Sequence, residues 1–359
     1  MFFTIIIAFI SLIGLMVLHE FGHFILAKKF GVKVEEFGIG YPPRIWGKKF
    51  GETVYSLNLL PFGAFVRIYG QEEKVENPRS FSKKPFWQKA LIILGGVVSF
   101  WVISAILLSI VMGLGVPTII GDEEYQNLVE PKVQIADIIP NSPAEKAGLK
   151  IGDSIINLKS QMSNVKIDKV GEIQNFTEKY KGEEVTLTIK RGKEVLETKL
   201  VPRESPPAGE GAMGVALVRT ALKSYPWYLA PIEGIKATGN LTLEVLKGWW
   251  QALVRLIKKQ PTGVQFMGPV GIFSLFVDVS KFGATYFLQF VAIISIFVAL
   301  FNLLPLPVAD GGKLLFLIIE KIRGKPINQK FEHNLDMVFF ALLLALMIWV
   351  TIKDIARLF

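Results

Sequence analysis

The chain contains no cysteine and only three histidines among its 359 residues. Without thiols it can form neither disulfides nor thiolate metal sites, and cysteine usage says nothing about its redox compartment. The histidines are His19, His23 and His333. Any zinc site must therefore be built from these side chains and from carboxylates.

Charge is scarce over long stretches of the chain, and its distribution excludes one class of partner. Hydrophobic residues make up 51% of the sequence, and the mean hydropathy is +0.43. These values predict several membrane-spanning segments together with a polar domain. The net charge of +9 comes mostly from residues beside apolar runs, where they face lipid headgroups. We therefore expect a lipid bilayer as partner and no nucleic acid.

Length and apolarity predict a polytopic α-helical membrane protein with about four transmembrane helices. The first 18 residues lack a basic leading segment and a small-residue cleavage site, so we expect a retained span rather than a signal peptide. The four predicted spans cover roughly residues 2–27, 88–115, 284–304 and 334–357.

Basic residues are concentrated in the two short connections, 28–87 and 305–333. The positive-inside rule places both connections in the cytoplasm, and it leaves both termini and the long middle segment outside. Lys353 and Arg357 oppose this orientation weakly. The expected location is the inner or plasma membrane, with several passes.

The sequence His19-Glu20-Phe21-Gly22-His23 lies in the second half of the first span. Residues four apart share one face of a helix, so both histidines can bind one zinc ion. Glu20 lies outside the ligand pair, where a carboxylate can take a proton from zinc-bound water. The alternative is two histidines packed against neighbouring helices, but polar groups in a span are costly unless they have a function.

A catalytic zinc usually has three protein ligands and one open position. His333 is one candidate for the third ligand, but it lies in a charged stretch at the start of a span. Asp310 is the better candidate, because Pro305 and Pro307 before it hold it on non-helical backbone at membrane depth. The alternative for Asp310 is a cap of a predicted helix, 313–322. The predicted topology puts Asp310 and the histidine pair in the same leaflet.

Together these motifs resemble the site-2 protease family of intramembrane zinc metalloproteases, in its bacterial regulated-proteolysis branch. The resemblance rests on HExxH in the first span, on Asn302-x-x-Pro-x-Pro-x-x-Asp310-Gly near the third, and on a PDZ-like segment between them. It implies zinc held by His19, His23 and Asp310, with Glu20 as the general base. It also implies that Asn302 contacts the substrate backbone or the developing oxyanion. A helix-packing hydrogen bond is the alternative for Asn302.

The second span departs from the family pattern. It reads Gly95-Gly96-Val97-Val98-Ser99-Phe100, where relatives often have Gly-Pro-x-x-Asn-Phe. The change removes one expected polar contact near the site. Close helix packing at Gly95 and Gly96 is the expected consequence.

The segment 118–218 has mixed polar composition and alternating strands, and its stretch 138–156 is similar to the helix-and-turn signature of bacterial PDZ domains. PDZ domains bind extended peptides by strand addition. We expect an inserted α+β domain outside the membrane that contacts peptides or proteins, or that controls access to the zinc; a plain spacer is the alternative. The predicted divisions are 1–117, 118–218, 219–283 with amphipathic helices over 226–262 and a Gly-Pro linker, and 284–359.

The loop 28–87 contains two β-like stretches, 37–41 and 53–58, followed by an apolar run, 59–66. One interpretation is a small cytoplasmic sheet. The other is a membrane-associated hairpin that lines the site and offers an edge to an extended substrate, because strands at that depth need protein or a wet cavity to satisfy their backbone.

These observations predict hydrolysis of peptide bonds inside transmembrane segments of single-pass proteins, such as anti-sigma factors or signal-peptide remnants. Two other functions remain possible on sequence alone. One is a non-catalytic membrane scaffold that recruits partners through its PDZ-like domain, although intact Glu20 and Asp310 argue against it. The other is a zinc transporter, for which the spans carry few acidic residues.

Overall fold

A computed structural model describes residues 2–358 except 72, 74, 125–128, 193, 208 and 262–266. The chain divides into two compact units. The first comprises residues 1–110, 231–280 and 287–359, and the second comprises residues 111–230 and 281–286.

The described helices follow one another along the chain as α1 (Phe2–Lys29), α2 (Phe86–Leu114), α3 (Pro143–Lys146), α4 (Val170–Lys179), α5 (Ala230–Ile257), α6 (Pro269–Lys281), α7 (Ala284–Leu303), α8 (Asp310–Arg323) and α9 (Gln329–Leu358). The described strands are β1 (Val34–Phe50), β2 (Thr53–Ile68), β3 (Val116–Ile119), β4 (Val129–Ile138), β5 (Ser154–Lys159), β6 (Asn164–Lys166), β7 (Val185–Arg191), β8 (Glu194–Leu200) and β9 (Val215–Lys223).

Among the described residues, four helices are long and apolar enough to cross a membrane, which confirms the predicted number of spans. They contain the stretches Ile6–Lys29, Phe86–Leu114, Ala284–Leu303 and Gln329–Ala356. The last helix begins five residues before the predicted start at 334. Its start is set by a polar cap, because the Asn328 side chain accepts a hydrogen bond from the backbone N–H of Lys330.

The loop after α1 folds into a sheet in which β1 and β2 pair antiparallel. The start of β1 has partners on both sides: Glu36 pairs with Val54 and Arg67, and Ile39 pairs with Leu57 and Ala64. Residues 64–68 consequently form one edge of this sheet. Large apolar side chains on the sheet are 38–62% exposed, which suits a surface facing lipid or a partner; they are Ile39, Tyr41, Ile45, Trp46, Leu59 and Leu60.

The backbones of α1 and α2 touch at Gly22 and Gly95. A Cβ atom on Gly95 would lie 2.7 Å from the carbonyl oxygen of Gly22, and one on Gly22 would overlap the carbonyl oxygen of Gly95. Small residues allow helices to approach this closely. The structure therefore has the close helix packing that the glycines of the second span predict. In the same unit, Ser295 on α7 donates a hydrogen bond of 2.8 Å to the Phe100 carbonyl on α2.

The second unit is an α+β fold with a seven-stranded sheet. The strand order is β3-β9-β4-β5-β7-β8, and β6 pairs with β5. Alternating side chains of the strands form a core with α4, including Leu158, Leu187, Ile173 and Phe176. A groove lies between α4 and the start of β9, lined by residues that include Val170, Ile173, Thr177, Met213 and Val215. The unit begins before and ends after the predicted segment 118–218, because β3 and β9 include residues on either side of that segment.

Candidate metal centre

His19 and His23 lie one turn apart on α1, and their Nε2 atoms are 3.3 Å apart. The Asp310 Oδ2 atom is 3.4 Å from His19 Nε2 and 3.3 Å from His23 Nε2. Three ligand-type atoms thus form a nearly equilateral triangle. Among the described residues these three side chains make up the only cluster of three or more histidines and carboxylates that could hold a metal ion.

The triangle fits zinc. A tetrahedron with metal–ligand distances of about 2.0–2.1 Å has corners about 3.3–3.4 Å apart, which is the spacing of these atoms. Asp310 is 7% exposed, and its Oδ2 is buried with no hydrogen-bond partner among the described residues. Buried acceptor atoms facing one another at this distance are costly unless a cation lies between them. A fourth, open corner would remain for water or substrate.

The histidine rings are oriented by α2. His23 Nδ1 is 2.8 Å from the Ile92 carbonyl oxygen, so a proton on Nδ1 leaves Nε2 free to bind a metal. The His19 ring stacks on Phe100, with centroids 4.7 Å apart. A Cβ on Gly96 would overlap both histidine rings, so a glycine at this position makes room for them. Ser99 donates a hydrogen bond to the Gly96 carbonyl within its own helix.

Asp310 is placed by the turn between α7 and α8. Gly311 and Gly312 lie so close to the carbonyls of the preceding turn that a Cβ at either would overlap them. Asp310 is the first residue of α8, but the helix cap at Ala309 has no side-chain hydrogen bond. The Asp310 carboxylate faces the two histidines, which differs from the helix-cap alternative.

Glu20 lies beside the triangle and is not part of it. Its side chain lines a cavity with His23 and Asp310, and the wall includes Val66 and Ile68 at the edge of the β-sheet. The backbone amide of Val66 faces the Glu20 carboxylate. A carboxylate beside the open position can exchange protons with a bound water.

The other two candidates from the sequence are not in the triangle. The Asn302 side chain donates a hydrogen bond of 2.9 Å to the Val298 carbonyl, one turn back in its own helix. This bond lies within α7, and a contact of Asn302 with substrate stays a prediction. His333 is exposed on α9 and does not belong to the cluster.

Sequence reasoning missed one charged group at this site. Lys313 lines the same cavity as Glu20, His23 and Asp310. The signal for it is the spacing, because Lys313 follows Asp310 by three residues and residues three apart share a helix face.

Comparison with known proteins gives one matching family model and several similar zinc metalloproteases. A sequence model described as Peptidase family M50 matches residues 7–346. A relative from Clostridium perfringens, named as a candidate zinc metalloprotease, is 35% identical over 98% of both chains. The regulator of sigma-W protease RasP of Bacillus subtilis is 29% identical, and the zinc metalloprotease RasP of Bacillus licheniformis is also 29% identical. The alignments cover 100% of both chains for the first and 99% of both for the second.

Proposed function

This chain belongs to peptidase family M50 and is a zinc-dependent metalloendopeptidase, and we propose that it cuts peptide bonds within the transmembrane segments of single-pass proteins. The observation that carries the proposal is the triangle of His19, His23 and Asp310 with Glu20 beside it. Two of the three side chains of this triangle lie on α1, a helix apolar enough to cross a membrane. A hydrolytic site built on such a helix suits a substrate that also lies in the membrane.

Each side chain of the site has a proposed role. His19, His23 and Asp310 hold the zinc ion, which when bound polarises the scissile carbonyl and lowers the pKa of water. Glu20 accepts a proton from the attacking water and returns it to the leaving amine. Asn302 contacts the substrate once its bond to Val298 has been released.

A transmembrane substrate must unwind before cleavage, because its carbonyls are otherwise hydrogen-bonded within its helix. The sheet edge formed by residues 64–68 could bind the unwound substrate segment as an added strand. Val66 and Ile68 line the cavity with Glu20, and on one side these residues pair with β1. An extended segment added along the opposite side would pass Glu20.

The names of relatives and the predicted topology support a proposed class of substrate. The Bacillus subtilis relative is named as the regulator of sigma-W protease RasP, and an anti-sigma factor with one span is the proposed substrate class here. Signal-peptide remnants are a second proposed substrate class. The basic connections support a zinc site toward the cytoplasm and a second unit outside. We infer that the groove between α4 and β9 in that PDZ-like unit receives a peptide and that the unit controls access of substrates to the zinc.

The proposal is tested by a Glu20→Gln variant in vesicles that contain a single-pass reporter protein. Cleavage should be lost while bound zinc stays at the level of the unmodified protein, because Glu20 moves protons and does not bind the metal. Glu197→Gln on β8 is the matched control and should cleave normally. Retained cleavage by the Glu20→Gln variant would refute the mechanism. If the unmodified protein and both variants bind zinc but none of them cleaves the reporter, the result would favour the non-catalytic membrane scaffold.

A further inference from the structure

We propose that Lys313 is a further catalytic residue: its ammonium group donates a hydrogen bond to the oxygen of the scissile carbonyl as that oxygen gains negative charge. The inference rests on the proposed function and adds a residue to it.

Lys313 is held close to the metal ligands by a rigid turn. It lies one helical turn after Asp310, so both side chains lie near one face of α8. Gly311 and Gly312 fix the start of this helix against the carbonyls of Leu303, Leu304 and Leu306. The Lys313 side chain forms part of the wall that also contains Glu20 and Asp310.

The Lys313 charge has no close ionic partner in the part of the chain that the structure describes. Other lysines form ion pairs at 2.6–2.8 Å, namely Lys28, Lys181, Lys199 and Lys236. Lys313 forms no pair within 4 Å with a described carboxylate. Its long-range electrostatic partners are the site residues His19, Glu20 and Asp310, together with Asp336 on α9. Lys313 is exposed and lines the cavity, so its ammonium group is available to a ligand.

Two other polar side chains near the centre are already bonded within helices, and Gln71 on the cavity wall is an uncharged amide. The Asn302 amide donates to Val298, and the Ser99 hydroxyl donates to Gly96. A developing oxyanion is stabilised by preorganised donors besides the metal. Among the residues that line the cavity, Lys313 is the one with an ammonium group.

The chemical step balances without further reactants. The water oxygen forms a bond to the carbonyl carbon, its proton moves to Glu20, and the carbonyl π electrons move to the carbonyl oxygen. Lys313 holds that negative oxygen by a hydrogen bond and keeps its own proton. When the electron pair returns, the carbon–nitrogen bond breaks and Glu20 gives its proton to the leaving amine.

Asp336 provides the competing structural role, in which Lys313 only balances a charge on α9. Asp336 Oδ1 is buried and has no hydrogen-bond partner in the described chain. A purely structural lysine would affect folding or zinc content. A catalytic one would affect kcat and the binding of charged transition-state analogues.

The test compares Lys313→Met, Lys313→Arg and Lys321→Met in the full-length protein, with a single-pass reporter as substrate. Lys321 is on the same helix, over the Phe86 ring, and serves as the matched control. Lys313→Met should lower kcat by about 10²–10³-fold, the effect of removing an oxyanion donor. Its KM should stay within about threefold and its zinc content unchanged, while Lys313→Arg recovers much of the rate.

A phosphinic peptide, whose charged oxygens imitate the tetrahedral intermediate, gives a second readout. Its inhibition constant should rise for Lys313→Met by about the same factor as kcat/KM falls, because analogues follow transition-state binding. Normal kcat, an effect on KM alone, or loss of zinc would overturn the catalytic role of Lys313. Those results leave the proposed function intact if Glu20→Gln is inactive, whereas activity of Glu20→Gln would defeat the proposed function itself.

Discussion

Asp310 Oδ2 lies 3.3 Å from Nε2 of His23, although these residues belong to helices at opposite ends of the sequence. With His19 they form a triangle whose sides match the corners of a tetrahedral zinc site. The contact joins the first membrane-spanning helix to the turn after the third, and it is the basis of the predictions that follow.

Replacing Asp310 by asparagine should strongly weaken zinc binding, because a neutral amide replaces the charged ligand in a buried site. Zinc per chain, measured by elemental analysis after dialysis, should fall well below the level of the unmodified protein, and cleavage should fall with it. Asp137→Asn on β4 in the second unit is the control and should keep its zinc. Full zinc occupancy in the Asp310→Asn variant would remove Asp310 from the ligand set.

Replacing Gly96 by alanine should disturb the metal centre without removing any ligand. The added Cβ would overlap the rings of both His19 and His23, so the rings or α2 must move. Zinc affinity should fall at least about 10-fold, as when groups that orient metal ligands are lost. Gly14→Ala is the matched control, since no atom lies within 4 Å of its added Cβ. Equal zinc affinity in the two variants would contradict the described position of α2.

The Gly22–Gly95 contact should set the stability of the first unit. Gly22→Ala places a methyl group on the Gly95 carbonyl oxygen, and overpacking of this kind costs about 1–3 kcal/mol of unfolding free energy. Thermal unfolding in detergent should show a lower Tm than for Gly14→Ala. A Tm equal to that of the control would mean that the two backbones are farther apart.

An ion pair in the second unit gives a prediction that is independent of the zinc. Arg191 binds both carboxylate oxygens of Asp153 at 2.7 Å, and Asp153 is only 1% exposed. Arg191→Met leaves that carboxylate without its partner and should cost about 2–3 kcal/mol, less than a fully buried pair because Arg191 is partly exposed. Urea unfolding followed by a probe in this unit measures the loss. Arg191→Lys, which keeps the charge but not the two-point contact, should lie between.

The sequence predicted the four spans well, because long apolar runs are a local signal. The four-residue spacing of HExxH predicts that both histidines lie on one helix face, whereas the leaflet of Asp310 stays a prediction from the basic loops. Apolar runs of sufficient length predicted the four spans. The start of α9 was predicted from apolarity alone and lies five residues too late, because the polar cap at Asn328 begins the helix earlier.

What the sequence did not predict depends on contacts between distant segments. The bond from His23 to Ile92 and the room that Gly96 leaves for both rings require the packing of α1 on α2. Lys313 reads as an ordinary helix lysine until α8 is placed beside the cavity. The strands of the first loop extend from the predicted 37–41 and 53–58 to Val34–Phe50 and Thr53–Ile68, because pairing on both sides of residues 36–39 overrides the prolines.

The most direct test of the account is cleavage of a defined transmembrane segment by the purified protein in vesicles, with the cut bond located by mass spectrometry. The account predicts a cut inside the hydrophobic segment that disappears when zinc is removed by a chelator and returns when zinc is added back. A cut outside the segment, or cleavage that persists when zinc is no longer detectable, would contradict it.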